Sequence, residues 1–350
     1  MKIQIFGAGS IGNHLSHAAR QLNYDVQVVD INQEALDRMR DQIYPSRYGH
    51  WDYQIDQVTY EKALISKEYF DFIFIGTPPS SHIELATLAL KKQPKALLIE
   101  KPLSTPLIDL EAFCNLVTNS KTKVYVGYDH SIAPSVNKML DLADNKIGEI
   151  LSIDVDFRES WTGILNAHPW LNGPGESYLG NITQGGGALC EHSHALHLWK
   201  TISNYLNLGK VSISNVNMKI EKYENLNYDS ISHVHLKTNK NIFGRVVQDV
   251  VGTPVQKKAV IQGSKGYIEW YCSVQDVGDI VELNLTNQEV KKYIFKKNRP
   301  DDFVNEINHI EKDLLKNPNE NNSAISFEEG FKTMKLINEC FFKTYENRKK

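Results

Sequence analysis

Short apolar runs with β character alternate with stretches of helical spacing over the first third of the chain. The β-type runs are residues 2–6, 26–29, 70–75, 96–99 and 124–126. The helical patterns between them cover about residues 15–22, 33–43, 80–90 and 105–117. Strands that alternate with helices predict an α/β fold with a parallel, doubly wound sheet, in which ligands bind beyond the carboxyl ends of the strands. Residues 44–56 fit neither pattern.

The pattern changes near residue 150, where β-type runs follow one another with few helices between them. These runs are residues 150–157, 211–220, 231–236, 242–249, 258–262 and 266–270. Several alternate apolar and polar positions, which is typical of an antiparallel sheet with two unlike faces. Helices are predicted over about residues 187–199, 304–315 and 327–342.

Two domains follow from this change of pattern. We predict a Rossmann domain over residues 1–126 and an α+β domain over residues 127–350, built on an open, mostly antiparallel sheet. The last helix is a candidate to pack back on the first domain. The second face of the sheet needs cover, which favours a contact between copies of the chain.

The first strand is followed at once by a glycine-rich turn and then by a helix. The residues of this turn are Gly7, Ala8, Gly9, Ser10, Ile11 and Gly12. Gly7 lets the backbone turn sharply, Gly9 presents no side chain to a pyrophosphate, and Gly12 lets the helix approach the strand. The phosphates of a dinucleotide would then lie at the positive N-terminus of the helix.

The second strand ends in Asp30, at the distance from the glycines where a ribose-binding carboxylate is expected. A carboxylate accepts hydrogen bonds from the two ribose hydroxyls and repels a 2′-phosphate. Neither Ile31 nor Asn32 offers a cation to hold such a phosphate. The sequence therefore predicts NAD rather than NADP as the cofactor.

Composition narrows the partners of this domain pair. The formal net charge is -3, and no basic block is present, which argues against nucleic acid. No apolar stretch approaches the roughly eighteen residues of a membrane span, and the start of the chain does not resemble a signal peptide. The 4 cysteines are scattered without metal-finger spacing. We expect a cytoplasmic protein that binds neither membrane nor nucleic acid.

A second chemical feature is Glu100-Lys101-Pro102, at the carboxyl end of a predicted parallel strand. Pro102 restricts the lysine to an extended backbone, so that its side chain extends from a rigid base. Partial burial near a cationic nicotinamide would lower the pKa of the Lys101 ammonium. Lys101 could then hold a substrate oxygen or exchange a proton with it. A strand-end lysine taken alone is most often a surface residue.

A third feature is the glycine-rich segment 185–197, which contains Glu191, His192, His194 and His197. Helical spacing places Glu191 and His194 toward one side, where an acid and an imidazole can form a proton relay. Histidine, cysteine and glutamate could also bind a metal ion. Their crowding on successive helical positions points them in different directions, so we expect no metal site. His192 and His197 could equally be polar groups satisfied by the backbone.

Together these segments resemble the Gfo/Idh/MocA family, typified by glucose-fructose oxidoreductase and inositol dehydrogenase. The matching segments lie in family order between residue 1 and about residue 200: GAGSIG, Gly76-Thr77-Pro78-Pro79-Ser80-Ser81-His82, Glu100-Lys101-Pro102, Gly127-Tyr128-Asp129-His130, Ile147-Gly148 and the three glycines at 185–187. The resemblance implies a Rossmann domain and a second domain with an open, largely antiparallel sheet, through which a homodimer or homotetramer would form. It also implies NAD(P)-dependent chemistry on sugars, inositols or nucleotide sugars.

The resemblance also implies roles for individual residues. Lys101 would stand at the substrate, and Thr77, Pro78, His82, Glu100 and Lys101 would line the cofactor. The family usually has a histidine four residues after the acid that follows the glycines, whereas Ala195 stands there and His194 is one place early. Some branches have a serine–histidine pair instead, which Ser193-His194 resembles.

His194 is therefore the first candidate for the acid–base residue, with Glu191 orienting it, and His192 or His197 as alternatives. Asp129 and His130 stand where the family often has asparagine and arginine, so substrate contacts are expected to differ there. Further candidates for substrate contacts in the loop before the glycines are Arg158, Trp161 and Tyr178, with His168 and Trp170 as additional aromatic groups.

The leading hypothesis is an NAD-dependent oxidoreductase that transfers a hydride between nicotinamide and a hydroxyl or keto carbon of a sugar or nucleotide sugar. One alternative is NAD-dependent glycoside cleavage through a transient ketone. Another is a sensor that keeps the dinucleotide fold without catalysis. The shift of the histidine favours the sensor, and the presence of Lys101 argues against it.

Overall fold

A computed structural model describes residues 1–223, 226–316 and 320–347 of the chain. The chain divides into two compact units. The first comprises Met1–Ser104, Ile108–Asp129 and Arg299–Phe327, and the second comprises Thr105–Leu107, His130–Asn298 and Glu328–Lys350. Among the described residues, none of the helices combines the length and apolar character that a membrane crossing requires.

The strands of the described chain belong to two sheets. In chain order they are β1 Lys2–Phe6, β2 Asp25–Asp30, β3 Ile55–Thr59, β4 Phe72–Ile75, β5 Ala96–Ile99, β6 Lys123–Val126, β7 Ile150–Arg158, β8 Val211–Tyr223, β9 Leu226–Thr238, β10 Phe243–Asp249, β11 Gln256–Gly263, β12 Gly266–Val274, β13 Gly278–Leu285 and β14 Lys291–Phe295.

The described chain also contains α-helices. In chain order they are α1 Ser10–Gln21, α2 Gln33–Arg38, α3 Tyr44–Tyr48, α4 Tyr60–Ile65, α5 His82–Lys91, α6 Glu111–Thr118, α7 Pro134–Asn145, α8 Trp161–Asn166, α9 Ala188–Glu191, α10 His194–Tyr205, α11 Asp301–Lys316 and α12 Phe327–Asn347.

The sheet of the first unit has the order β3-β2-β1-β4-β5-β6, and all its strand pairs are parallel. This is the doubly wound order in which the chain reverses direction across the sheet after β3 and returns to β4 beside β1. All four residues of β4 and of β5 are buried, as expected for central strands covered by helices on both faces. The predicted Rossmann architecture is confirmed.

The segment that fitted no pattern, residues 44–56, contains helix α3 and the start of strand β3. Strand β3 reads IDQVT, and its edge position leaves only Ile55 buried. A one-sided edge strand lacks the continuous apolar run that identified the other strands. Helix α3 continues directly from α2 through one wide π-type turn at Met39–Ile43, so the helical pattern extends beyond its expected end.

Helix α11 clusters with the first unit, although the sequence analysis assigned residues 127–350 to the second domain. Phe303 stacks on His14 of α1, with ring centroids 5.1 Å apart. Asp313 accepts a hydrogen bond from the Tyr125 hydroxyl at 2.7 Å and pairs with Lys123 at 3.1 Å. The apolar stripe and the buried acid of α11 therefore cover the first sheet. Residues of α12 from Glu328 onward cluster with the second unit. The suggested packing of this helix on the first domain stays a prediction.

The sheet of the second unit has the order β14-β13-β12-β11-β7-β10-β9-β8. Its strand pairs are antiparallel except for β7 with β10, which are parallel. The predicted open, mostly antiparallel sheet is confirmed, with two strands, β13 and β14, that the sequence pattern did not reveal. On one face, Ile153, Val155 and Phe157 of β7 are buried, and the Trp199 indole of α10 donates to the Ile153 carbonyl at 2.8 Å.

The single helix expected over residues 187–199 is two helices. Helix α9 ends at Glu191, and α10 begins at His194. His192 at the break has φ -98° and ψ 26°, which is outside the helical region. The helical spacing that was assumed between Glu191 and His194 therefore does not apply.

We expect Asp313→Asn to lower the free energy of unfolding by about 3 kcal/mol, because it leaves the Lys123 ammonium buried without its carboxylate. Chemical denaturation followed by circular dichroism measures this change. Asp141→Asn is the matched control, since its pair with Lys138 is an exposed one, and a change of under about 0.5 kcal/mol is expected. Equal effects of the two substitutions would contradict the assigned role of Asp313.

Candidate active site

The turn between β1 and α1 brings the strand and the helix into close backbone contact. A Cβ on Gly12 would lie 1.8 Å from the Gly7 carbonyl oxygen, and a Cβ on Gly7, whose φ is +105°, would lie 2.8 Å from the Gly76 carbonyl oxygen. A Cβ on Gly9 would meet nothing within 4 Å. Gly7 and Gly12 are thus required by the fold itself, while Gly9 borders open space at the helix N-terminus. This cradle fits the pyrophosphate of a dinucleotide.

Asp30 joins the end of β2 to this turn. Its Oδ2 accepts a hydrogen bond from the Ala8 amide at 2.8 Å, and its Oδ1 accepts one from the Asn32 amide at 2.9 Å. Each carboxylate oxygen can accept a second hydrogen bond, and the side chain is half-exposed. The carboxylate is therefore held in one position by the backbone while it keeps acceptor capacity for ribose hydroxyls.

Arg47 is a residue of this turn that the sequence analysis missed. Its guanidinium donates to the backbone oxygen and to the hydroxyl of Ser10, both at 3.0 Å. Burial and the nearby Arg299 lower the pKa of Arg47. Arg47 lies on α3, within the unassigned segment, and no motif spacing connects it to Ser10. The fold of the first unit thus brings a cation to the glycine turn.

His82 lies beneath the turn that follows β4 and does not face open space. The residue is 0% exposed, and its Nε2 and Nδ1 lie 2.8 Å from the Thr77 carbonyl oxygen and 3.0 Å from the Pro102 carbonyl oxygen. Burial lowers its pKa to about 4. The expectation that His82 lines the cofactor is therefore corrected: His82 connects two strand-end turns from below. Thr77 and Pro78 remain on the accessible side.

Glu100 and Lys101 follow β5 in opposite environments. Glu100 is 6% exposed, and its carboxylate lies 2.9 Å from where a Cβ of Gly127 would be. The Lys101 amide donates to Glu100 Oε2 at 3.3 Å, and Lys101 itself is half-buried. Glu100 thus supports the backbone under Lys101 instead of facing a ligand, whereas Lys101 stands at the carboxyl edge of the parallel sheet, as predicted.

In the second unit, His194 stacks on another imidazole. The rings of His130 and His194 have centroids 4.4 Å apart and an interplanar angle of 19°. Phe157 of β7 lies behind them, with its centroid 6.5 Å from that of His194. Both histidines are half-buried. The structure therefore brings a predicted catalytic residue and a predicted substrate-binding residue into direct contact.

The other histidines of the segment are in different environments. His197 is 0% exposed, and its Nδ1 lies 2.8 Å from the Thr333 hydroxyl of α12. His192 is 4% exposed, at the C-terminal cap of α9. Glu191 is half-buried at the end of the same helix. Of the three histidines, His194 has the accessibility that proton exchange with a substrate requires.

The predicted substrate residues before the glycines separate into two groups. Arg158 follows Phe157 on β7 and lies on the opposite face of the sheet, with its guanidinium nitrogens 3.5 Å from Asp156 and from Asp249. The structure therefore does not bring Arg158 to His194. The Trp161 ring contacts Tyr228 edge-on at 5.5 Å, and its buried indole N–H has no hydrogen-bond partner among the described residues.

Tyr178 is half-buried at the start of a short 3₁₀ turn, Tyr178–Gly180, in the irregular segment that follows α8. His168 and Trp170 contact each other edge-on, with ring centroids 5.4 Å apart. The loop therefore carries several aromatic side chains of partial exposure.

The stacked imidazoles also have the composition of a metal-binding group. His130 and His194 offer two nitrogen ligands, and Asp129, the preceding residue of the chain, offers a carboxylate. The lone pairs of an imidazole lie in the ring plane, so two nearly parallel stacked rings direct them into separate, nearly parallel planes. This geometry favours proton exchange over metal chelation.

The first domain matches a known protein family. Residues 1–128 match the sequence model of the Gfo/Idh/MocA oxidoreductase family, NAD-binding Rossmann fold. Over 171 residues the chain is 26% identical to Oxidoreductase P35 of Formosa agariphila, a stretch that covers 48% of this chain and 50% of the relative. The match thus spans about half the length of that relative.

Solved structures share the fold of the whole chain. Levoglucosan dehydrogenase in complex with NADH and L-sorbose has a TM-score of 0.77 at 15% identity, covering 99% of this chain and 97% of the other. KijD10, a 3-ketoreductase from Actinomadura kijaniata solved with NADP and TDP-benzene, has a TM-score of 0.76 at 15% identity, covering 98% and 97%. At this identity the likeness establishes the fold.

Residues 1–128 are therefore similar in sequence to the NAD-binding Rossmann fold of the Gfo/Idh/MocA oxidoreductase family. The family resemblance that the sequence motifs indicated is confirmed.

We expect Gly9→Ala to weaken dinucleotide binding and Gly12→Ala to destabilise the fold. Gly9→Ala adds a methyl group to open space, so the free energy of unfolding changes by under about 0.5 kcal/mol, while dinucleotide affinity falls at least about tenfold. Gly12→Ala forces the helix from the strand and destabilises the fold by about 3 kcal/mol. Thermal denaturation and calorimetric titration with NAD measure both quantities. Unchanged NAD affinity in Gly9→Ala would remove the glycine turn from the binding site.

Proposed function

We propose that the protein is an NAD-dependent oxidoreductase that transfers a hydride between nicotinamide and a hydroxyl or keto carbon of a sugar or nucleotide sugar. The observation that carries the proposal is the open cradle at Gly9, with Asp30 fixed beside it, in a domain of an NAD-binding oxidoreductase family. NAD supplies the hydride acceptor or donor when it is bound. The remaining tasks, orientation of the substrate and proton transfer, fall to side chains of this chain.

Lys101 and His194 are the residues to which we assign proton transfer. Lys101 extends from a backbone that the buried Glu100 and Pro102 support, so its ammonium reaches the substrate oxygen from a rigid base. His194 is the accessible histidine of its segment and contacts a second imidazole, His130. Glu191 orients the substrate or the histidine. This assignment removes the argument for an inactive sensor, because the break after α9 accounts for the unusual position of His194.

We propose NAD as the physiological cofactor over NADP. The Asp30 carboxylate is fixed by two backbone amides at the end of β2, where it would meet a 2′-phosphate with a like charge. The same fixed carboxylate accepts hydrogen bonds from the free ribose hydroxyls of NAD. Structural relatives have been solved with NADH and with NADP, so the fold permits either cofactor.

The proposed substrate class is supported by the aromatic loop and by the relatives. The half-buried Trp161, whose ring contacts Tyr228 edge-on, offers an aromatic face to a sugar ring. Tyr178 adds a half-buried aromatic face, and Asp129 and His130 add polar groups. Solved relatives are complexes with L-sorbose, levoglucosan or TDP-benzene. A cytoplasmic homodimer or homotetramer remains a prediction, which light scattering of the purified protein tests.

We expect Lys101→Met and His194→Gln each to reduce kcat by about 10²- to 10⁴-fold, the range that general acid–base groups contribute. The NAD dissociation constant should stay within about twofold, because neither side chain holds the glycine turn. Stopped-flow measurement of NADH at 340 nm on a panel of sugars and nucleotide sugars tests this. Full turnover in Lys101→Met would refute its role.

The same assay separates the rival reactions. Net NADH formation in step with substrate loss supports the oxidoreductase, whereas release of a free sugar without NADH supports glycoside cleavage. Turnover that EDTA abolishes and Zn²⁺ restores would support the metal alternative at His130 and His194. The proposal expects turnover to be insensitive to the chelator.

We expect Asp30→Ser to weaken NAD binding by about tenfold to a hundredfold, because a hydrogen bond from a ribose hydroxyl to a charged acceptor is lost. The affinity for NADP should rise relative to NAD, since the repulsive charge is removed. Calorimetric titration with each cofactor measures the ratio. Asp25→Ser, at the exposed opposite end of the same strand, is the control and should leave both affinities unchanged. An unchanged ratio in Asp30→Ser would contradict the preference for NAD.

A further inference from the structure

Two buried polar side chains lie beneath the three-glycine segment that precedes His194. Asp229 on β9 and Gln248 on β10 are both 0% exposed. Adjacent strands carry them, and both side chains bond to the backbone of the short helix α9. Buried polar groups of this kind are costly unless they are paired, so their placement under one turn needs a reason.

Asp229 holds the N-terminal end of α9. Its Oδ2 accepts a hydrogen bond from the Leu189 amide at 2.8 Å. Its Oδ1 lies 2.1 Å from where a Cβ of Gly187 would be, and Gly187 has a φ of +88°. Glycine at 187 is therefore required for the carboxylate to reach the first turn of the helix.

Gln248 holds carbonyl groups of the same turn. Its Nε2 donates to the Leu189 carbonyl at 3.2 Å and to the Ala188 carbonyl at 3.5 Å. The two strands thus bind the amide and the carbonyl groups of one helical turn from below. A helix of 4 residues has almost no stability of its own, so these bonds to the sheet fix its position.

We infer that Asp229, assisted by Gln248, is a positioning residue for the proposed reaction: it fixes α9 on the sheet and thereby the direction in which Glu191 and His194 present their side chains. This inference rests on the proposed function. The link is covalent and short, because α9 ends at Glu191 and α10 begins at His194. Asp229 touches neither substrate nor cofactor in this scheme.

The charge of Asp229 contributes to the way in which this residue fixes α9. Burial raises its pKa to about 7, and the Leu189 amide, its own backbone amide and the Ser232 hydroxyl oppose that rise. The buried thiol of Cys340 on α12 faces Asp229. Burial and the Asp229 charge both raise the pKa of this thiol. From α9 and β10 the facing groups are the Leu189 amide and the neutral Gln248 amide.

The sign of the pH effect follows from this. Below about pH 7 the carboxylate becomes protonated and its bond to the Leu189 amide loses the assistance of the charge. Positioning of α9 therefore weakens on the acidic side. Stability changes in the other direction, because a carboxyl whose pKa is raised on folding favours the folded state at low pH, and that contribution is lost as the pH rises through 7.

Asp229→Asn keeps the size of the side chain and removes the charge. We expect kcat to fall about tenfold at pH 8 with the KM for NAD unchanged, and the acid limb of the kcat profile with a midpoint near 7 to disappear. A merely structural carboxylate would lower the melting temperature without changing the profile. In Asp229→Asn, melting temperature should hold or rise at pH 8, because a buried charge has been removed.

Two readouts do not need turnover and separate this inference from the proposed function. In ¹H–¹⁵N spectra the Leu189 amide signal should shift with a midpoint near pH 7 in the native protein and not in Asp229→Asn. Hydrogen–deuterium exchange over residues 187–194 should be at least about threefold faster in the variant at pH 8. If no sugar is turned over, these two results still decide the role of Asp229.

The matched control is Asp249→Asn, a buried carboxyl of β10 that accepts a hydrogen bond from the Gly252 amide. In Asp249→Asn, hydrogen–deuterium exchange should become faster at residues 250–252 and not at residues 187–194. If Asp229→Asn does not fold, Gln248→Met removes the second bond partner with little change in volume, and faster exchange at residues 188–191 is expected. Exchange at 187–194 equal to that of the native protein in the folded variants would overturn the inference.

Discussion

The contact between the Gly7 carbonyl and the α-carbon of Gly12 is the constraint on which the first unit depends. No side chain fits there, because even a methyl group on Gly12 would lie 1.8 Å from that oxygen. The contact presses α1 onto β1 and directs the free amides of the helix N-terminus toward the edge of the sheet. Asp30 then reaches the Ala8 amide, and Arg47 reaches Ser10, because both depend on the place where this turn lies.

In the second unit, a sheet and a break between two helices position His194. A wide sheet binds a very short helix through Asp229 and Gln248, and the break after Glu191 places His194 at the start of the next helix. Phe157 supports the His194 ring from the sheet, and His130 stacks on the ring itself. His192 is buried, and His197 is buried and bonded to Thr333, which leaves His194 as the accessible imidazole of that segment.

Several residues of the sequence motifs are buried and support the backbone of the candidate site instead of facing a ligand. The buried His82 ring lies between two backbone carbonyls, and Glu100 lies under Gly127 and the Lys101 amide. Motifs record both kinds of residue without distinguishing them. A residue that contacts ligand and a residue that holds the contacting loop are equally necessary, and only burial separates the two. The prediction for Arg158 failed for a different reason: neighbouring positions of a strand face opposite sides of the sheet, and Arg158 lies on the face opposite to Phe157.

The sequence by itself determined the elements whose signals are local: the central strands, the glycine turn with Asp30, the Glu100-Lys101-Pro102 segment and the change from parallel to antiparallel sheet. Periodicity and turn chemistry act over a few residues, so a single chain reveals them. The edge strand β3, strands β13 and β14, the contact of Arg47 with Ser10 and the allocation of α11 were decided by tertiary structure. Partners far apart in the chain, such as Asp229 and Leu189 or His130 and His194, satisfy each other's polar groups and cover each other's surface only after folding, and no local pattern encodes that pairing.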